Sequence, residues 1–102
     1  MIWVSLAKRY LGLLITNDTQ KLRELYAEDI VYQYKRKIVG KEEVLRYHTH
    51  SSPTSITVRN TAYRDKYVCL ETSVKYSTIT RGIVFVIQFN SLGKINSVIL
   101  YG

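Results

Sequence analysis

The sequence is poor in residues that staple, kink or loosen a chain: it contains one cysteine, one proline and five glycines among 102 residues. A lone cysteine excludes an intramolecular disulfide, and Cys69, inside a strand-like run, reads as a small buried hydrophobe rather than a nucleophile. So little proline and glycine excludes low-complexity segments and linkers, and no internal repeat is present. Apolar runs are short. Leu11 to Ile15 cannot span a bilayer, and the charges Lys8 and Arg9 follow the apolar residues Ile2 to Ala7, the reverse of a secretory signal. A soluble, cytoplasmic protein without a membrane segment is expected. Acid is scarce as well: residues 44–102 carry seven Lys or Arg against two Asp or Glu, and the net charge is +7. Such a balance favours anionic partners such as nucleic acid, a phosphorylated ligand or an acidic protein, or simply a solvated surface.

What is abundant is the material of one core. Hydrophobic residues make up 46% of the chain, nine of them tyrosines, and this length suits a single domain, 1–102, that buries roughly 60–70% of its extended surface. Trp3, Leu6, Ala7, Tyr10, Leu13 and Leu14 form an apolar stripe at helical spacing. Asn17-Asp18-Thr19 supplies caps for a second helix, with Leu22, Leu25 and Tyr26 on its apolar face and an end near Ala27. From Asp29 the period becomes two, with Ile30, Tyr32 and Tyr34 on one side, and Lys35-Arg36-Lys37 turns the strand into a short partner, Ile38-Val39-Gly40. Lys41-Glu42-Glu43 opens a third helix whose face is Val44, Leu45 and Tyr47 or His48, stopped at Ser51-Ser52-Pro53.

After Pro53 four strands are expected, at about 55–63, 66–77, 82–90 and 94–101. In the second, Val68, Leu70, Thr72, Val74 and Tyr76 share a face. The last two form a hairpin around Ser91-Leu92-Gly93. Ile83 to Phe89 has no polar face before Gln88, so both of its sides need cover. An α+β fold follows, in which a cone-shaped, curved antiparallel sheet wraps around the N-terminal helices.

The succession of a helix, an Asn17-Asp18 corner, a helix, Leu25-Tyr26-Ala27-Glu28-Asp29-Ile30-Val31, a hairpin, Gly40-Lys41-Glu42-Glu43-Val44 and strands around Phe89-Asn90-Ser91-Leu92-Gly93-Lys94-Ile95 covers essentially the whole chain. It resembles the nuclear-transport-factor-two-like superfamily, which includes ketosteroid isomerase and the SnoaL-like polyketide cyclases. The resemblance implies the cystatin-like cone fold with an apolar pocket, and commonly a homodimer; it implies no particular activity. Arg9-Tyr10-Leu11 is similar to the ketosteroid isomerase first-helix motif, which gives Tyr10 the part of hydrogen-bond donor to a developing enolate. The positions of that family's general base and oxyanion-hole aspartates fall on Tyr34 and Phe85. Neither is an acid, and a neutral phenol in an apolar pocket is a donor and not a base, so no catalytic residue is assigned.

In the same register the pocket is lined by Leu6, Tyr10, Tyr34, Leu70, Thr72, Val74, Phe85 and Ile87, a surface suited to a flat, apolar ligand held by hydroxyls. The same letters also describe a filled core. His48 and His50 are two apart, a poor metal pair that no Cys or Asp cluster joins, and His48 reads as a surface histidine at a helix end. No metal or cofactor is expected. Tyr32, Tyr34, Lys35, Arg36 and Lys37 interleave aromatics with cations and offer a basic hairpin for nucleic acid. Val84, Val86, Val98 and Leu100 are expected on an outer sheet face that no helix covers, where two chains would pack as a homodimer.

Overall fold

Ala7, Tyr10, Leu11 and Leu14, at spacings of three and four, are the buried face of the first helix, α1 (Ile2–Thr16), in a computed structural model that describes residues 2–50 and 52–102. The chain reverses at Asn17, whose φ of 52° lies in the left-handed region that asparagine tolerates. Asp18 then caps α2 (Thr19–Leu25), its carboxylate accepting from the Lys21 N–H at 3.1 Å. At the other end Lys94 Nζ donates to the Glu24 carbonyl, satisfying one of the last orphan acceptors of the helix. α2 stops at Leu25, earlier than its apolar spacing suggests. Tyr26 belongs to the first strand, β1 (Tyr26–Tyr34), paired with Ile95, so its burial comes from the sheet and not from a helix face. The helix stop expected at Ser51-Ser52-Pro53 falls partly on Ser51, outside the described residues.

β2 (Arg36–Val39) returns antiparallel from β1 through Lys35, and α3 (Lys41–His48) follows, with Glu42 and Glu43 in its first turn. Next come β3 (Ser55–Arg64), β4 (Tyr67–Tyr76), β5 (Ile79–Phe89) and β6 (Ile95–Tyr101). They form one six-stranded sheet in the order β2-β1-β6-β5-β4-β3. β3 to β6 are antiparallel neighbours, as expected, but β1 joins β6 in parallel, so the sheet is mixed. No hairpin dictates that pairing: α3 and four strands intervene between β1 and β6, leaving the direction free. The sheet is curved and not closed, with extra residues on β1, β3 and β6 that sharpen its bend. α1 packs on β3 and β4, and α3 on β1 and β2. No helix of the described residues is long and apolar enough to cross a membrane.

The concave face holds the core. Val68, Leu70, Thr72 and Val74 of β4 and Ile83, Phe85, Ile87 and Phe89 of β5 are all buried, alternating with more exposed neighbours. The β5–β6 turn is tied by Asn90, whose side-chain oxygen accepts from the N–H groups of Leu92 and Lys94, while Gly93 takes φ 78°.

β6 corrects one expectation. Val98 and Leu100 are buried, opposite Ile87 and Phe85, and the outward residues are Ile99 and Tyr101 beside Val86 and Val84. The register runs Phe89↔Ile95 and then Gln88↔Ser97, leaving Asn96 as an extra residue. One inserted residue flips the parity of everything after it, so alternation counted from Ile95 points the wrong way. The outer face is thus Val84, Val86, Ile99 and Tyr101, with Cys69 paired to Val86 and Glu71 accepting from Asn60 at 2.8 Å.

Candidate functional site

Three side chains from three elements meet in a hydrogen-bonded row inside the cone. Tyr10 of α1 lies 2.6 Å, oxygen to oxygen, from Tyr26 of β1, and the Tyr26 hydroxyl lies 2.6 Å from His48 Nε2 of α3. Both tyrosines are fully buried and His48 is 5% exposed. His48 is therefore no surface histidine: it sits four residues after the buried Val44, on the helix face turned to β1. Tyr32 meets its ring edge-on at 5.1 Å.

The direction of the row follows from satisfying its donors. Were His48 to donate from Nε2 and Tyr26 to donate onward, the buried Tyr10 O–H would have no acceptor. With Tyr10 donating to Tyr26 and Tyr26 donating to Nε2, both phenol hydrogens are used. His48 is then the neutral Nδ1–H tautomer. Burial lowers its pKa from 6.5 to about 4, which keeps it uncharged at neutral pH. Burial also pushes Tyr10, Tyr26 and Tyr32 well above the ordinary phenol value. All four groups are neutral near pH 7.

His48 also lines a cavity of about 20 Å³, room for about one water. Tyr32, Tyr47, Tyr76 and Phe85 are among its other walls. Nδ1–H has no hydrogen-bond partner among the described residues, on a ring that faces this space. Tyr47 and Tyr76 are shared with a larger, solvent-open groove of about 340 Å³, completed by Tyr34, Lys35, Ile79 and Arg81. No carboxylate lines either space. With the His48 Nε2 lone pair occupied and the buried phenols neutral, the site offers hydrogen-bond donors, aromatic faces and two cations, and no general base poised near neutral pH.

The eight residues expected around one pocket are distributed. Leu70, Thr72, Val74 and Ile87 are closed into the core, and the Thr72 hydroxyl is committed to the Ile83 carbonyl at 2.7 Å. Tyr10 spends its hydroxyl on Tyr26. Leu6 lines a separate groove of about 140 Å³ between α1 and α2. Phe85 borders the small cavity and Tyr34 the large groove. The residues not anticipated are Tyr26, Tyr47, His48, Tyr76, Ile79 and Arg81. The Val44–His48 spacing could have pointed to His48, and the shared parity of Ile79 and Arg81 with Ile83 to the groove.

No family model matches the sequence, and no curated protein does. Solved structures match the fold. An NTF2-like protein of unknown function from Cytophaga hutchinsonii superposes with a TM-score of 0.87 at 15% identity, over 97% of this chain and 88% of that one. A steroid delta-isomerase from Pseudomonas aeruginosa gives 0.75 at 17% identity, over 96% and 77%. An uncharacterised protein with a cystatin-like fold from Silicibacter pomeroyi gives 0.79 at 20% identity, over 92% and 70%. The fold is the nuclear-transport-factor-two-like cone that the sequence resembles.

Proposed function

We propose, from this nuclear-transport-factor-two-like fold, that the protein binds a small apolar molecule in the groove walled by Tyr34, Tyr47 and Tyr76. The observation that carries the reading is where the core stops. Phe85, Leu100 and Val98 close the middle of the cone, whereas at its end three tyrosines from three elements surround about 340 Å³ of open space, within the range of ligand pockets. Tyrosine faces supply area at low entropy cost and hydroxyls to orient a guest. No reaction is assigned, because the positions matched to isomerase acids, Tyr34 and Phe85, border these spaces without a carboxylate.

Titration with 1-naphthamide, a neutral two-ring probe, followed by calorimetry, is expected to saturate at one site per chain. Tyr76→Ala should weaken binding about tenfold, by removing one aromatic wall and the area it buries. If neither this probe nor an anionic analogue binds saturably, the ligand reading fails.

A second reading concerns association and is compatible with the first. Val84, Val86 and Ile99 are half-buried, Tyr101 is 58% exposed, and they are neighbours on the convex face, away from the helices. Two such faces packed together would form a homodimer about a two-fold axis. Sedimentation is expected to give twice the 11.9 kDa of one chain, and Val86→Glu to return it to one chain. A concentration-independent mass of 11.9 kDa for the unaltered protein would rule the dimer out.

A further inference from the structure

Arg81 is a cation on the side of β5 that otherwise carries the core. It alternates in phase with Ile83, Phe85, Ile87 and Phe89, all buried, and its cross-strand partner is the wholly buried Val74. Strand parity therefore sends it onto the concave face, just past the edge of the packed interior, where it lines the groove. Lys35 stands on the same groove, its Nζ 5.6 Å from the centre of the Tyr34 ring. Its backbone is in the left-handed region, φ 64°, which a glycine or asparagine would occupy at lower cost.

Neither cation has an acidic partner among the described residues, where the ion pairs are Arg23 with Glu42, Lys41 with Glu28, and Arg46 with Glu43. Burial, and then Tyr34 and Tyr47, raise the Tyr76 phenol, while the Arg81 charge opposes them. That opposition puts the guanidinium within electrostatic reach of the groove's aromatic wall.

We propose that this groove selects planar aromatic molecules carrying one anionic oxygen group, with the ring against Tyr34, Tyr47 and Tyr76 and the anion on Arg81 and Lys35. The inference rests on the groove being the ligand site. Arginine's planar fork fits two oxygens of a carboxylate or a phosphate or sulfate ester, and lysine adds a point charge from the other wall. A neutral guest would leave both charges unanswered.

Calorimetry with 1-naphthoate and 1-naphthamide, nearly isosteric and different in charge, tests this directly. Naphthoate is expected to bind at least about tenfold more tightly, and the advantage to shrink as salt is raised. In Arg81→Gln, an exposed position where the fold is retained, naphthoate should lose most of its advantage over naphthamide. Equal affinity for the two probes overturns the anion preference and leaves the ligand site standing; binding of neither overturns both. An unchanged preference in Arg81→Gln also overturns the proposal. So does a single-stranded oligonucleotide that displaces naphthoate and depends on Arg36 and Lys37, which would make the basic hairpin the true docking element.

Discussion

Lowering the pH from 7 to 4.5 is expected to remove about 2–3 kcal/mol of stability through His48 alone. In the unfolded chain this imidazole takes up a proton near 6.5, whereas in the fold it stays neutral down to about 4. Between those values the unfolded state binds more protons, so stability falls as pH falls; above the window His48 contributes nothing, and below it the loss is complete. The main cause is burial, since a charged ring would lose its water. A structural reason reinforces it: protonating Nε2 would remove the acceptor that Tyr26 uses, reversing the row and stranding the Tyr10 hydrogen. Urea denaturation at both pH values, on the native protein and on His48→Gln, checks this. Every other ionisable group is common to the two proteins, so the difference between them isolates His48. Parallel losses in the two proteins would show that His48 ionises as freely in the fold as in the unfolded chain.

The same histidine shows what periodicity can and cannot convey. A stripe such as Ala7–Tyr10–Leu14 names a helix and its buried side because one element determines both, and the β4 alternation and the Asn90–Gly93 turn are equally local. Whether His48 lies inside or outside depends on what α3 lies against, and that is set by β1, a strand brought there by its parallel pairing with β6. Likewise the outward face of β6 could not be counted from its letters, since one extra residue, Asn96, inverts the parity of all that follow. Arg81 looks like a loop cation until β5 is seen to begin at Ile79; then it becomes a charge on an inward position, the kind of local inconsistency that marks functional sites.

The pocket expectation divides along the same line. Tyr10 and Thr72 do face inward, as the strand and helix periods require. Facing inward left open who takes their hydroxyls: the answer, Tyr26 and the Ile83 carbonyl, involves partners 16 and 11 residues away in the chain. Nothing in spacing reveals that a donor is already spent. The open space is at the cone's end because tyrosines there stand beside lysine and arginine, whose heads keep to water and do not close the wall.

Substitutions in the buried row separate its two possible directions. With Tyr10 donating to Tyr26 and Tyr26 to His48, Tyr10→Phe removes the first donor and leaves the second bond intact, a loss of about 1 kcal/mol. Tyr26→Phe removes the middle: the Tyr10 O–H loses its acceptor and His48 Nε2 its donor, both away from water, and the loss should be about 2–4 kcal/mol. The double variant then has no stranded hydroxyl, so it should be less destabilised than the sum of the singles by about 1–2 kcal/mol. In the reverse direction Tyr10→Phe would itself strand the Tyr26 O–H and match Tyr26→Phe in severity. Chemical denaturation of the three variants at pH 7 reads the order, and the nitrogen chemical shifts of His48 report independently whether the ring hydrogen sits on Nδ1. Equal losses in the two single variants, together with an Nε2–H ring, would reverse the row and restore a free lone pair on Nδ1 beside the small cavity, where a base could act.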